Sequence, residues 1–443
     1  MAPSGVYWNG GGVGLAVNRD ERRFLLLFLP IVFGFGGRMA LSAFDGPLAG
    51  RFTQSGYGIG LLLAIGPLVS AVLNPGVGRL SDRTWTRFGR RMPFVLLGVP
   101  LSIVILFAIP SAGGFGVLLL LFGVRAVLGS LGGVPLMSLI PDMTSPSWRG
   151  RIMSIFLIVG GVGAIVIQAS GKAFWEQHFA YVYYLTGALS LFILPPLFFI
   201  REPRPEPGEL EMARARRGSS VGALLGALTR REPIALFLAS AGLRYLSVGI
   251  VASYFTLFAL TDLGISVGDS ALAIAVSGLA RLPLAVPSGQ LADRMDRRRL
   301  LLGTTLATAL LHALTGFAVW NLTGLYAVLL VGAIIGSLDM VVSGPLFMDL
   351  LPADQRGELT GVNMVLQNVF RAVGALLGGA VFAWTGGYRL CYAAAVLCLV
   401  LSALLLTRVR IPSPQPLSGE PTGAIVRPEG ILNELRSFDD SIC

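Results

Sequence analysis

Charge is what this chain has least of. Only 13% of its 443 residues are charged, where a soluble globular domain carries about 25%. So little charge cannot cover a water-facing surface. Lysine is nearly absent: Lys172 is the only one, so arginine supplies almost all the basic charge behind a net +10. Lys172 also lacks the Gly-x-x-x-x-Gly-Lys spacing of a phosphate-binding loop, which excludes ATP hydrolysis by this chain. Cysteine is scarce. Cys391 and Cys398 lie seven apart in an apolar run and share a helix face, and Cys443 is the last residue. No metal or redox spacing is present, and Cys443 is too near the end for a prenylation box. With no hydrolytic constellation either, neither an enzyme, a metal nor a cofactor is expected.

What the chain does have is apolar length: 54% of it is hydrophobic. Runs of 18 or more apolar residues recur, each long enough to cross a bilayer. They are continuous rather than alternating, so they read as helices and not as barrel strands. Twelve spans are expected, near 24–46, 57–78, 93–110, 114–140, 150–170, 180–200, 233–260, 268–290, 299–319, 323–347, 359–384 and 389–408. Residues 1–20 are Gly-rich and polar, which is no cleavable signal.

Arginine placement orients the spans. Arg79, Arg83, Arg87, Arg90 and Arg91 fall in one loop, Arg149 and Arg151 in another, and Arg294, Arg297, Arg298, Arg299 and Arg356 in two more on the same side. The opposite loops offer little beyond Arg51, Lys172 and Arg389. That asymmetry is the positive-inside pattern, and it favours a bilayer over a nucleic acid as the partner of a basic chain. Both termini are therefore expected in the cytoplasm of a bacterial or archaeal cell. The expected organisation is a cytoplasmic segment 1–23, a six-helix half 24–200, a cytoplasmic linker 201–232, a second half 233–408, and a Pro- and Gly-rich disordered tail 409–443.

Two motifs occur twice. Gly78 precedes Asp82-Arg83 as Gly289 precedes Asp293-Arg294, an offset of 293 − 82 = 211. Asp142 precedes Arg149-Gly150 as Asp349 precedes Arg356-Gly357, an offset of 349 − 142 = 207. Two unrelated motifs at nearly one offset imply an all-α membrane protein of twelve transmembrane helices in two parallel six-helix, pseudo-symmetric halves. Gly lets helices approach closely, and an Asp at a helix start meets the positive end of its dipole. The expectation is a pair of crossed latches, with Asp82 near the start of the eleventh span around Arg356 and Asp293 near the start of the fifth around Arg149.

The stretch GRLSDRTWTRFGRRMPF at 78–94, with Gly89, Arg90 and Arg91 in its GRR, strongly resembles the helix 2–3 loop of the major facilitator superfamily. GQLADRMDRRR at 289–299 is similar to the weaker second-half copy, and VRAVLGSLGG at 124–133 resembles the family's fourth-helix Arg-x-x-x-Gly signature at Arg125 and Gly129. Within the superfamily, SDRT followed by GRR-P-F, together with PLMSLIPDMTSPSWRGR at 135–151, resembles the glycoside–cation and sucrose symporter group. The resemblance covers nearly the whole membrane domain. There are departures. Met137 stands where many sucrose transporters have an arginine, which puts sucrose in doubt. GGVGAIVIQASG at 160–171 lacks the Gly-Pro signature of drug–proton antiporters and argues against a drug exporter.

Ionisable groups inside a membrane are costly and read as functional. Arg38, Arg125, Arg244, Arg281, Asp339 and Arg371 fall within spans, and Asp45 falls late in the first, near its outer boundary. The resemblance implies that helices 1, 4, 7 and 10 line a central cavity, so Arg38, Arg125 and Arg244 are candidates to bind a solute. Arg38 and Arg244 are expected to face each other, being 244 − 38 = 206 apart. Tyr245 and Tyr254 could stack on a sugar, and Asn363, Gln367 and Asn368 could hydrogen-bond it. Asp339 and Asp45 are the only carboxylates placed to bind a coupling proton or sodium ion. His312 reads as a core residue. Trp175, Trp320 and Trp384 read as interface anchors.

Three functions compete. The first is cation-coupled transport of a small polar solute, a sugar or glycoside, by a monomer working through alternating access. The second is an organic-anion transporter using the buried arginines. The third is a non-transporting assembly factor or sensor on the same fold, as the light-harvesting assembly proteins resemble.

Overall fold

The computed structural model describes residues 19–202, 208, 226, 232–351 and 356–409. The expected linker and tail lie almost wholly outside them. Among the described residues, twelve helices are long and apolar enough to cross a membrane. They are α1 (Arg23–Phe52), α2 (Gly56–Arg83), α3 (Met92–Ser111), α4 (Phe115–Met143), α5 (Ile152–His178), α6 (Ala180–Leu197), α7 (Glu232–Thr261), α8 (Val267–Leu284), α9 (Arg297–Phe317), α10 (Leu322–Leu350), α11 (Leu359–Thr385) and α12 (Arg389–Arg408). Each expected span falls on one of them. The first differs in extent. The expected span stops at 46, yet the helix breaks only briefly at Leu41 and continues with Pro47 inside it to Phe52. Asp45 is therefore embedded rather than at a boundary.

The repeat seen in the sequence recurs in local structure. Ser55 accepts a hydrogen bond from the Gly58 amide and Ser266 from the Asp269 amide, capping α2 and α8 at an offset of 266 − 55 = 211. Each cap satisfies a donor the helix start leaves unpaired, worth about 1 kcal/mol. Helix-breaking prolines repeat too: Pro75 and Pro287, then Pro135 and Pro345. Such prolines bend a span where neighbouring helices can satisfy the freed carbonyls. The first helix of each half is interrupted, α1 at Leu41 and α7 at Ser253–Tyr254. Glycine crossings also match, Gly37 against Gly163 joining α1 to α5, and Gly249 against Gly374 joining α7 to α11. Without side chains there the backbones reach the close approach that drives helix association in lipid.

The two halves meet through α2 against α11 and α5 against α8. The contact is tight where α2 and α8 begin. A Cβ on Gly56 would sit 2.9 Å from the Ala383 nitrogen, one on Gly60 3.1 Å from the Ala375 oxygen, and one on Gly268 2.7 Å from the Lys172 Cα. Lys172 adds an ion pair of 2.6 Å to Asp269 across this seam. Tyr254 fills the same end, donating to the Ala375 carbonyl at 2.5 Å and stacking on Tyr388 with ring centroids 5.3 Å apart. It is a packing residue there. Trp175 is 2% exposed and stacks on Phe44, so it is core and not an interface anchor, whereas Trp320 and Trp384 are exposed.

The other end is splayed. Gly78 follows Gly60 by 18 residues and Gly361 precedes Gly379 by 18, about five turns each, so each pair shares a helix face. Yet a Cβ on Gly78 would find only Val134 of α4 at 3.9 Å, and one on Gly361 nothing within 4 Å. The halves are closed at one end and parted at the other.

Candidate functional site

Between the parted halves lies a cavity of about 780 Å³. Most of its wall comes from α1, α2 and α4, with Ser253 of α7 and Met364 and Arg371 of α11 from the second half. Arg38, Arg125 and Arg371 all line it, together with the single carboxylate of Asp45. Arg125 pairs with Asp45 at 3.3 Å, and the Tyr183 hydroxyl donates to the same oxygen at 3.5 Å. The Arg125 guanidinium also lies 5.3 Å from the Phe122 ring. Arg38 donates to the Ser102 hydroxyl at 2.6 Å. Among the described residues neither Arg38 nor Arg371 has an ion-pair partner. Three guanidiniums less one carboxylate leave this wall formally +2.

Arg244 does not join them. It pairs with Asp339 at 3.0 Å, linking α7 to α10 within the second half, and the Thr304 hydroxyl of α9 donates to Asp339 at 3.2 Å. The expected facing of Arg38 and Arg244 across one cavity is therefore not what the geometry has. Each half carries a first-to-fourth helix ion pair, but with the signs exchanged: Asp45 on α1 with Arg125 on α4, Arg244 on α7 with Asp339 on α10. Arg281 of α8 lies against Gly336 of α10, where a Cβ would stand 3.4 Å from its guanidinium. Neither Tyr245, Asn363 nor Gln367 lines the cavity; on α11 that role falls to Met364 and Arg371. His312 packs edge-on against Tyr392.

The loop motifs form a second charged system at the parted end. Asp142 pairs with Arg90 at 2.8 Å and Arg91 at 2.7 Å, and Asp349 pairs with Arg297 at 2.6 Å. The partners keep the repeat, since 297 − 90 and 349 − 142 are both 207. Asp82 reaches Arg91 at 3.4 Å. These links lie within each half. The side chains of Arg149, Asp293 and Arg356 fall outside the described residues, and with them the expected crossed latches. Glu202 was missed in the sequence. Its carboxylate accepts from the amides of Arg90, Arg91 and Met92 at 2.7–2.8 Å, capping α3 from the end of the first half. Gly89 makes room: its φ is 114°, and a Cβ would stand 2.8 Å from the Glu202 carboxyl carbon. An acid directly after Arg201, at the foot of α6, was the available signal.

Two six-helix halves around a cavity that carries charged side chains and opens at one end are the architecture of a membrane transporter. The chain belongs to the Major Facilitator Superfamily, whose family model matches residues 26–243 and 237–438. Among curated relatives, it is 27% identical over 356 residues to the multidrug resistance protein MdtG of Serratia proteamaculans (strain 568), covering 78% of this chain and 82% of that one. To the protein of the same name from Citrobacter koseri it is 26% identical over 363 residues, 79% and 83% of the two chains. Solved structures with the same fold include the nucleoside transporter NupG, with a TM-score of 0.70 at 15% identity over 88% of this chain and all of that one. A bacterial homologue of the human lysosomal transporter Spinster, inward-facing and occupied, gives 0.70 at 18% identity over 90% of this chain and 100% of the other. A D-xylose–proton symporter gives 0.67 at 14%, over 88% and 98%. The sucrose-symporter subgroup is not singled out by these relatives.

Proposed function

We propose that this chain is a secondary transporter that carries an organic anion by alternating access, coupled to a cation. The observation that supports it is the excess of positive charge on the cavity wall, where Arg38 and Arg371 have no carboxylate partner among the described residues. A guanidinium in a low-dielectric cavity calls for a counter-charge, and an anionic solute supplies one. The apolar remainder of the wall, including Phe35, Met39 and Met137, suits a solute with a carbon skeleton. If the arginine-rich loops face the cytoplasm, as their bias implies, the parted end is the cytoplasmic one and the conformation is inward-open.

For coupling, Asp45 is the carboxylate on the cavity wall. It can exchange Arg125 for a proton or a sodium ion as the solute binds. Asp339 is the matching carboxylate of the second half, already held by Arg244 and Thr304. A second reading, drug export, which the missing Gly-Pro signature at 160–171 argues against, draws on the relatives named for multidrug resistance and on the same apolar wall, and it predicts cationic or neutral substrates.

Uptake by proteoliposomes tests the choice. Anionic solutes accumulate, and neutral analogues do not compete. Arg38→Gln raises the apparent KM for the anion by about tenfold or more, the effect of losing a charge-assisted hydrogen bond in a half-buried site, and Arg371→Gln, at an exposed position on the wall, raises it less. Equal transport of neutral solutes, indifferent to both substitutions, would end the anion reading.

A further inference from the structure

Two polar atoms on the cavity wall stand apart from the charged groups. The side-chain oxygens of Asn74 on α2 and Ser130 on α4 are both buried and have no hydrogen-bond partner among the described residues. Both residues line the cavity. Ser130 is 4% exposed. Its isolation is unusual for a helix serine, which commonly donates to a carbonyl one turn back, as Ser138 does to Val134 on the same helix. A buried oxygen left without a partner costs about 1–3 kcal/mol, so two facing one cavity call for an occupant.

The helix register brings the two together. α2 and α4 run parallel, with a Cβ on Gly123 falling 3.2 Å from Ile65 and one on Gly78 3.9 Å from Val134. Between those levels, Asn74 stands opposite the turn that holds Ser130. Ser70 lies four residues before Asn74, on the same face, and also lines the cavity. Ser130 is five residues past Arg125, about 7 Å along the helix axis. The wall therefore has Arg125 nearer the closed end and, one to two turns further toward the open end, the neutral oxygens of Ser130 and Asn74, with Arg38 near their level, since Phe35, one turn before it, lies 3.8 Å from a Cβ on Gly133.

We infer that Asn74 and Ser130 form a hydroxyl-reading subsite, and that the solute is a polyhydroxylated carboxylate of the sugar-acid type, its carboxylate held by Arg38 and its hydroxyls by Asn74 and Ser130. This rests on the anion reading for the carboxylate, but not for the hydroxyls. The chemistry is complementary. The Asn74 oxygen can only accept and so needs an O–H or N–H from the solute, while the Ser130 hydroxyl can both give and take. Neighbouring hydroxyls on one carbon chain answer both. A fatty acid of equal length would leave both oxygens buried and unpaired, and sites built to bond a hydroxyl reject such analogues strongly.

Binding of three probes to the purified full-length protein, followed calorimetrically, separates the two claims: gluconate, hexanoate and glucose. Gluconate is expected to bind at least about tenfold more tightly than either of the others. Asn74→Leu should abolish the preference for gluconate over hexanoate and leave hexanoate within about twofold, whereas Arg38→Gln should abolish the preference over glucose. Should Asn74→Leu not fold, as judged by its thermal unfolding, Ser130→Ala carries the same expectation. Equal affinity for gluconate and hexanoate, or equal loss of both on Asn74→Leu, overturns the hydroxyl subsite and leaves the anion reading standing. Equal affinity for gluconate and glucose, with Asn74→Leu weakening both, overturns the anion reading and keeps the subsite. No binding of any probe overturns both.

Discussion

Gly379→Ala should drive the closed end of the molecule open. In the structure the added methyl would stand 2.9 Å from the Tyr254 hydroxyl oxygen and 3.0 Å from the Gly60 Cα, and closer still to the Gly56 carbonyl. Two of those are backbone atoms of α2, which cannot swing aside as a side chain can. Restoring contacts of about 3.5–4.0 Å to the Gly60 Cα alone requires α2 and α11 to separate by roughly 0.5–1 Å along this seam, and clearing the Gly56 carbonyl takes more. Overpacking of this kind costs about 1–3 kcal/mol. The strain exists only while the halves are closed here, so the whole of it biases the equilibrium toward the state parted at this end. At about 1.4 kcal/mol per factor of ten, the population shifts by about fivefold to a hundredfold. A single cysteine at Ala375, which is fully buried at this seam, reads the change in a background without the three native cysteines. A membrane-impermeant maleimide should label Ala375→Cys faster in the Gly379→Ala variant. Gly361→Ala is the control, since nothing lies within 4 Å of its Cβ, and it should label at the parent rate. A folded Gly379→Ala protein that also labels at the parent rate would refute the reasoning.

Three further outcomes follow from the charged groups. Glu202→Ala removes the acceptor for three amides at the start of α3; it should lower stability by about 1–3 kcal/mol in thermal unfolding while solute affinity holds. Asp339→Asn distinguishes coupling from a fixed ion pair with Arg244: loss of accumulation against a gradient with retained solute exchange marks coupling, and unchanged accumulation removes Asp339 from it. Lys172→Met should change the unfolding midpoint little, because the Lys172 side chain is 53% exposed and such pairs contribute under about 1 kcal/mol; the same variant should nonetheless raise maleimide labelling of Ala375→Cys.

The twelve spans and the two-fold repeat were legible because lipid imposes them on composition. Each crossing must be long and apolar, and each half must repeat its turn residues. Side-chain direction was less legible. Arg38 and Arg125 line the cavity, but Arg244 sits at nearly the same repeat offset and turns instead to Asp339. Position along a helix fixes depth, not the face that a break or a proline bend will present. Asp45 looked peripheral because a first span of 24–46 ends beside it, whereas the helix runs on through Pro47 to Phe52. Trp175 was mistaken for an anchor since a tryptophan at a span end carries the same signal whether it meets headgroups or Phe44. Asn74 and Ser130 gave no signal at all. Single polar residues in apolar runs are common, and only the three-dimensional inventory of partners sets these two apart.

The lone lysine makes the seam between the halves chemically addressable. In a chain whose other basic side chains are arginine and histidine, reagents that acylate primary amines have one side-chain target, and it lies on α5 with its charge committed to Asp269 of α8. Acylation would cancel that charge and add bulk beside Asp269. An activated ester would thus act as a wedge with a single point of entry. Because that side chain is 53% exposed, the ester reaches it without waiting for the halves to part, and with no engineered label in the protein.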